Sequence, residues 1–203
     1  MQAHVLVPLK RLNGAKTRLA AVLSPDERAE LMRRLLDGVA AAVHDAGVER
    51  ITLVTSEQIS VDRLERFDDR GLPWNEALAA AMREAVAEEL VAVVSADLPL
   101  LRADDVRALL AATPARGIAI ARARDGGTNA VAMRPPGAVE TCFGEPQSAA
   151  LHERRARQAG VEAVIVDLPG LAFDIDTPED LAELGADQPS PTAPRNASSA
   201  STP

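Results

Sequence analysis

The sequence predicts an α/β fold with three layers, α/β/α, around a mostly parallel sheet. Two observations carry this expectation. Short apolar runs such as His4-Val-Leu-Val-Pro8, Ile51-Thr-Leu-Val54 and Leu90-Val-Ala-Val-Val94 read as buried strands. Stretches of helical periodicity with recognisable start signals separate them, and strands alternating with helices imply a sheet covered on both faces.

Element by element, the first strand is His4 to Pro8. A long connection rich in Lys and Arg follows, from Leu9 to Leu23. Ser24-Pro-Asp-Glu-Arg28 starts a helix, with Ser24 as N-cap, Pro25 in the first turn, and Asp26 and Glu27 complementing the dipole. That helix carries Leu31, Leu35, Val39 and Val43 on one stripe, and Gly47 stops it. Ile51 to Val54 is the second strand. A short helix is expected over Asp62 to Phe67, a turn-rich loop over Asp68 to Pro73, and a helix from Asn75 to Glu89. Leu90 to Val94 is the third strand, and Ala103-Asp-Asp-Val106 opens a helix that ends near Thr113-Pro114. Gly117 to Ala121 and Asn129 to Met133 read as strands flanking Asp125-Gly-Gly-Thr128. Pro146 to Ala159 reads as helix, Ala163 to Val166 as strand and Thr177 to Leu184 as a final helix. Residues 1–184 are thus expected to form one domain. From Gly185 to Pro203 the chain is rich in Ser, Pro, Thr and Ala, and is expected to be a disordered tail.

Composition narrows the function. The 203 residues hold 22 Lys plus Arg against 30 Asp plus Glu, a net charge of −8, which argues against a nucleic-acid surface. Aromatics make up 2% of the chain, so Val, Leu, Ile and Ala must build the core. The single cysteine, Cys142, excludes an internal disulfide and a thiolate zinc cluster. No basic segment followed by a long apolar stretch opens the chain, and no run is long enough to span a bilayer. No membrane association and a cytoplasmic location are therefore expected.

Two regions point to chemistry. Asp97 closes Leu90-Val-Ala-Val-Val-Ser-Ala-Asp97, and Asp174 and Asp176 lie in Phe173-Asp-Ile-Asp176. Both sites read as the ends of buried strands, where open α/β sheets bind ligands. Three carboxylates in one crevice repel one another unless a cation lies between them. A hard divalent ion, most simply Mg²⁺, suits oxygen ligands and completes its shell with substrate phosphates. Each acid also has a plainer reading: Asp97 as a turn residue before Pro99, Asp176 as a helix cap before Thr177-Pro178. Asp174 is harder to explain that way, since in extended chain it shares a face with Asp176. The second region is Leu9-Lys-Arg-Leu-Asn-Gly-Ala-Lys-Thr-Arg-Leu19. It follows the first strand and offers Lys10, Arg11, Lys16 and Arg18 to a polyphosphate, or else is a solvated basic loop. With one glycine, Gly14, it is neither a P-loop nor a dinucleotide fingerprint.

Weaker candidates surround these. Asp125-Gly-Gly-Thr-Asn129 is a hairpin turn or an anion cradle with the Thr128 hydroxyl. Ser148, in Phe143-Gly-Glu-Pro-Gln-Ser148, caps a helix or binds phosphate. His152, one turn on, either packs internally or approaches the same anion. His4 reads as a strand residue, His44 as a helix-surface residue, Cys142 as structural and Trp74 as a packing anchor.

Taken together, Val7-Pro-Leu-Lys-Arg-Leu-Asn-Gly-Ala-Lys-Thr-Arg-Leu19 and Leu23-Ser-Pro-Asp-Glu-Arg-Ala29 resemble the opening of the guanylyltransferases of coenzyme F-420 biosynthesis. These are the 2-phospho-L-lactate and phosphoenolpyruvate guanylyltransferases. Ser95-Ala-Asp-Leu-Pro-Leu100, Gly127-Thr-Asn-Ala130, Phe143-Gly144 with Ser148, and Asp174-Ile-Asp-Thr-Pro-Glu-Asp180 continue the likeness in order over residues 4–184. The resemblance implies a nucleotide-diphospho-sugar-transferase-like fold. It implies that Asp97, Asp174 and Asp176 hold Mg²⁺, and that Thr128, Gly144 and Ser148 contact a phosphorylated three-carbon acid. It further implies that Lys10, Lys16, Arg18 and Asn75 bind GTP, with Lys16, Arg18 and Asp97 catalytic. The acid would be 2-phospho-L-lactate, phosphoenolpyruvate or 3-phosphoglycerate. A labile product makes direct hand-over to a downstream transferase an expectation, and a homodimer is left open.

Two departures stand out. The family's compact Gly-Leu-Asn-x-Ala-Leu is interrupted here by Pro73-Trp74, between Gly71-Leu72 and Asn75-Glu-Ala-Leu78. Its Phe-Gly-Pro-Gly-Ser is here one residue longer, Phe143-Gly-Glu-Pro-Gln-Ser148. Other expectations compatible with the residues are a molybdopterin-guanylyl or sugar-phosphate nucleotidyltransferase, and a nucleotide-binding regulator without turnover.

Overall fold

The apolar runs pair into one sheet of seven strands in the computed structural model, which describes residues 3–12, 14–85 and 89–187. The strands are β1 (Ala3–Pro8), β2 (Arg50–Val54), β3 (Glu65–Phe67), β4 (Leu90–Val94), β5 (Gly117–Arg122), β6 (Thr128–Arg134) and β7 (Glu162–Val166). Their spatial order is β3-β2-β1-β4-β6-β5-β7. All neighbours are parallel except β6, which runs antiparallel to both β4 and β5. The helices are α1 (Pro25–Asp45), α2 (Trp74–Glu84), α3 (Ala103–Ala112), α4 (Ser148–Ala159), α5 (Pro169–Ala172) and α6 (Pro178–Asp187).

Alternation along each strand builds two cores. In β4, Leu90, Ala92 and Val94 face the layer of α1 and α3, where Leu35, Leu36, Val39, Val106 and Leu109 are buried. Val91 and Val93 face the layer of α2 and α4, against Leu78, Met82, Ala149 and Ala156. The expected three layers are therefore present. Ser24 caps α1 as read: its hydroxyl accepts from the Glu27 N–H, and the Glu27 carboxylate accepts from the Ser24 N–H. Such a cap contributes about 1 kcal/mol.

Three expectations need correction. The segment from Asp62 to Phe67 is not helical. Glu65–Phe67 pairs with the free edge of β2, and Phe67 packs on the core beside Val54. An unpaired strand edge offers a full row of backbone groups, and Arg63 sits at φ 66°, outside helical space. Asp174 and Asp176 do not end a strand either; they lie in the irregular link between α5 and α6. Finally, α6 runs on to Asp187, past the expected tail boundary. The remainder of the tail reading, residues 188–203, lies outside the described residues, as do residues 86–88; the helix expected over Asn75–Glu89 starts at Trp74 and ends at Glu84, with Ala85 and Glu89 outside it.

The short helix α5, which leads into the link before α6, is held tightly. A Cβ placed on Gly170 would meet the Asp105 carboxylate and lie 2.7 Å from the Leu100 carbonyl oxygen. Asp105 is itself occupied, accepting from the Arg102 N–H at 3.0 Å at the start of α3. Gly170→Ala should therefore cost about 1–3 kcal/mol, the usual penalty of overpacking. A fall in the urea midpoint at unchanged slope is the expected reading.

Candidate active site

Between β1 and β4 the chain changes direction across the sheet, since β1 connects to β2 on one side while β4 lies on the other. Such a switch point opens a crevice beyond the carboxyl ends of the strands. Here it becomes a cavity of about 1120 Å³. The loop after β1 supplies Lys10, Arg11, Lys16 and Arg18 to its wall, and the turn after β4 supplies Asp97. Because β6 is antiparallel, its first residues lie at the same edge, with Ala130 opposite Val94. That brings Thr128 and Asn129 to the cavity beside Ser95, whose N–H donates to the Asn129 carbonyl at 2.8 Å.

The three acids converge. One oxygen from each of Asp97, Asp174 and Asp176 lies within 4.8 Å of the other two. Two of them are held from behind. Asn129 donates its amide to Asp174 at 3.3 Å. Asp180 accepts from the backbone N–H groups of Asp176 and Thr177 at 3.0 and 2.7 Å, which fixes the backbone carrying Asp176. Lys16 reaches in from the basic loop. Its ammonium pairs with Asp97 and, at 2.8 Å, with Asp176. The loop is no solvated strand of charge: Leu9, Leu12 and Leu19 are buried in the core, and Lys16 takes a left-handed conformation, φ 53°, at the start of a 3₁₀ turn, Thr17–Ala21. Arg18 is exposed and meets Asp176 at 3.3 Å, a contact of small energetic weight.

Electrostatics follow from this crowding. Burial pushes the Lys16 pKa down, but the charges and hydrogen bonds of Asp97 and Asp176 outweigh it and hold the ammonium above its ordinary value. Asp174 is raised from 3.8 to about 6, first by burial and then by the charge of Asp97, with the Asn129 bond opposing. The folded chain thus holds this proton more tightly than the unfolded chain does. The contribution of Asp174 to stability is complete below pH ~4 and is lost as pH rises through about 6. Metal-free protein should lose stability over that window, and Asp174→Asn should flatten the loss. Urea midpoints measured from pH 4 to 7 test this; parallel curves for the two proteins would refute it.

The same cavity holds the expected acceptor residues. Thr128, Gly144 and Ser148 all line it. The Thr128 and Ser148 side chains are mostly enclosed: Ser148 Oγ donates to Thr128 Oγ1 at 3.0 Å, and Thr128 Oγ1 lies 3.1 Å from His152 Nδ1. The loop before α4 docks on the Asp125-Gly-Gly turn through Gln147, whose amide donates to the Asp125 carbonyl at 3.2 Å. Gly126, at φ 87°, leaves the space for that amide. The alternative that His152 itself approaches an anion is not met. It is fully buried and stands behind the two hydroxyls.

Asn75 does not line the cavity. Its amide clamps the Phe143 backbone, accepting from the N–H at 2.9 Å and donating to the carbonyl at 3.1 Å. It thereby ties the start of α2 to the Phe143-Gly144 loop. Its neighbour Trp74 does line the cavity, with Lys10 Nζ 4.8 Å from the ring centroid. The interruption by Pro73-Trp74 thus puts an aromatic wall beside the basic loop. Asn129 and Trp74 are functional candidates that residue patterns alone did not single out. A polar residue directly after the strand-opening Thr128 was the available signal for Asn129.

Similarity to known proteins agrees with this geometry. The family described as guanylyl transferase, CofC like, matches residues 3–188. The chain belongs to that family. It is 42% identical over 198 residues to the phosphoenolpyruvate guanylyltransferase of Sphaerobacter thermophilus, covering 93% of this chain and 95% of that protein. It is 39% identical over 200 residues to the 3-phospho-D-glycerate guanylyltransferase of Phenylobacterium zucineum, covering 90% and 89%. A crystal structure described as a nucleotide-diphospho-sugar transferase from Desulfovibrio desulfuricans G20 superposes with a TM-score of 0.76 at 20% identity, covering 90% of this chain and 86% of that one. The expected fold therefore holds for this CofC-like chain. Among its described residues no helix is long and apolar enough to cross a membrane.

Proposed function

We propose that this CofC-like protein transfers GMP from GTP to the phosphate of a small phosphorylated three-carbon acid, releasing diphosphate, in coenzyme F-420 biosynthesis. The observation that carries the reading is one cavity with two halves joined through Asn129, which follows Thr128 and donates to Asp174. One half is the acidic trio with its basic loop, and the other is the hydroxyl cradle of Thr128 and Ser148. Names borne by close relatives supply the acid class: phosphoenolpyruvate in one and 3-phospho-D-glycerate in another.

The donor set fits Mg²⁺. Asp97, Asp174 and Asp176 offer hard oxygens, and an ammonium already stands as a cation between two of them. When bound, Mg²⁺ would supply neutralisation of the α-phosphate and of the departing diphosphate. The chain's own groups do the rest. Lys10, Lys16 and Arg18 screen the triphosphate, which lets a second anion approach it. Thr128, Gly144 and the start of α4 hold the acid's phosphate, where a helix start has N–H groups without intrahelical partners. The nucleophile is already anionic, so no general base is called for, in keeping with a cavity wall that contains no histidine among the described residues. Holding two repelling anions in line is the main work.

Incubation of the protein with GTP, Mg²⁺ and each of 2-phospho-L-lactate, phosphoenolpyruvate and 3-phosphoglycerate, with products identified by mass, tests the reading. Acid-dependent diphosphate release and a guanosine-diphosphate-linked acid are expected. No release with any of the three would overturn the function, and a preference for another nucleotide would overturn the base assignment.

A further inference from the structure

Behind the hydroxyl cradle lies a histidine that the reaction scheme leaves unused. His152 is on α4, one turn past Ser148, and is fully buried. Its ring meets Phe143 edge to face, centroids 5.3 Å apart. Both ring nitrogens are engaged. Nε2 lies 3.0 Å from the Cys142 backbone N–H, which can only donate, so Nε2 is the acceptor. Burial draws the pKa down to about 4 against the opposing pull of the Ser148 backbone carbonyl, an acceptor for the ring, so the ring is neutral at pH 7. A neutral ring that accepts at Nε2 carries its proton on Nδ1. That proton faces Thr128 Oγ1 at 3.1 Å. The Ser148 hydroxyl donates to the same oxygen at 3.0 Å.

A hydroxyl oxygen has two lone pairs and one proton. Thr128 Oγ1 receives a hydrogen bond at both lone pairs, so its own proton must point elsewhere. The remaining direction is the cavity that Thr128 lines. We infer that His152 is a positioning residue that orients the Thr128 hydroxyl as a hydrogen-bond donor to an anionic oxygen of the acceptor acid. This rests on the proposed acceptor site. A ring in the opposite tautomer, with Nδ1 unprotonated, would let Thr128 turn its proton inward and present lone pairs to an anion. The Cys142 N–H holds the ring in the productive tautomer.

Three arms test it. Asn places its amide near the Nδ1 position and keeps a donor toward Thr128; Gln places its amide near Nε2 and keeps only the partner of Cys142. His152→Gln should raise KM for whichever of the three acids yields product about tenfold, the scale of one lost hydrogen bond to a charged group, with KM for GTP unchanged. His152→Asn should recover most of that loss. In a Thr128→Val background, His152→Gln should add nothing further, since the two act as one unit. Equal shifts in both KM values, or no difference between Asn and Gln at matched melting temperature, would overturn the inference. If Thr128→Val itself leaves the acid KM unmoved, the acceptor site falls and this inference with it. If Thr128→Val raises it and His152→Gln does not, only the role of His152 falls. Should the variants not fold, ¹⁵N shifts of the ring in the unmutated protein decide: a proton on Nδ1 is expected, and one on Nε2 refutes.

Discussion

Asp97→Asn is expected to cut guanylyl transfer by about 10³-fold or more while the protein still folds. On the proposed reading the loss would be that of a metal ligand whose ion would neutralise the reacting phosphates, an effect of several kcal/mol at about 1.4 kcal/mol per tenfold. Folding is spared for an electrostatic reason. The wild-type site sets three carboxylates against one buried ammonium, and Lys16 keeps its 2.8 Å bond to Asp176 when Asp97 is neutral. The charge of Asp97 is also the second cause, after burial, of the raised Asp174 pKa. Its removal should therefore relieve Asp174 and weaken the pH dependence of stability. Steady-state rates and thermal melts on purified protein measure both. Activity within tenfold of wild type would refute the metal assignment.

Lys16→Met should act on activity and stability together. Removing the ammonium leaves carboxylates facing one another with Arg18, exposed at the rim, as their nearest cation. Breaking a fully buried pair costs about 3–5 kcal/mol; with Asp176 46% exposed, about 1–3 is expected for the metal-free protein. Divalent metal should restore much of this, because ion and ammonium contest the same oxygens. Metal should accordingly bind the variant more tightly than the wild type in titration calorimetry. Turnover should nevertheless fall about 10²-fold, since the triphosphate loses a fixed positive charge. The raised Lys16 pKa sets the wild-type pH limit. The pair's contribution is complete below the ordinary value of 10.5 and is lost as pH rises through the higher folded value. Equal melting temperatures for the two proteins without metal would refute the counter-ion role.

Much of the site was legible from local patterns. Asp97 ends an apolar run of strand length, and the helix start at Thr177-Pro178 marks the segment that carries Asp176, although the cap is the Thr177 hydroxyl, which accepts from the Asp180 N–H at 3.3 Å, and not Asp176. Both are short-range signals. The roles of Asn75 and His152 were not legible, because a buried amide clamp or a ring behind a hydroxyl has no periodicity of its own. Nor was β3, since a three-residue strand forms only when a neighbouring edge is free to receive it.

Residue order alone determined the alternation of elements, the Ser24 cap of α1, the apolar β4 and the charged character of the two loops. These depend on neighbours within about one helical turn, where steric and capping preferences operate. Folding in three dimensions decided that Lys16 would lie between Asp97 and Asp176, 81 and 160 residues away, and that an antiparallel β6 would carry Thr128 to the same edge. Contacts at that separation are set by the order of strands in the sheet, which no local preference encodes.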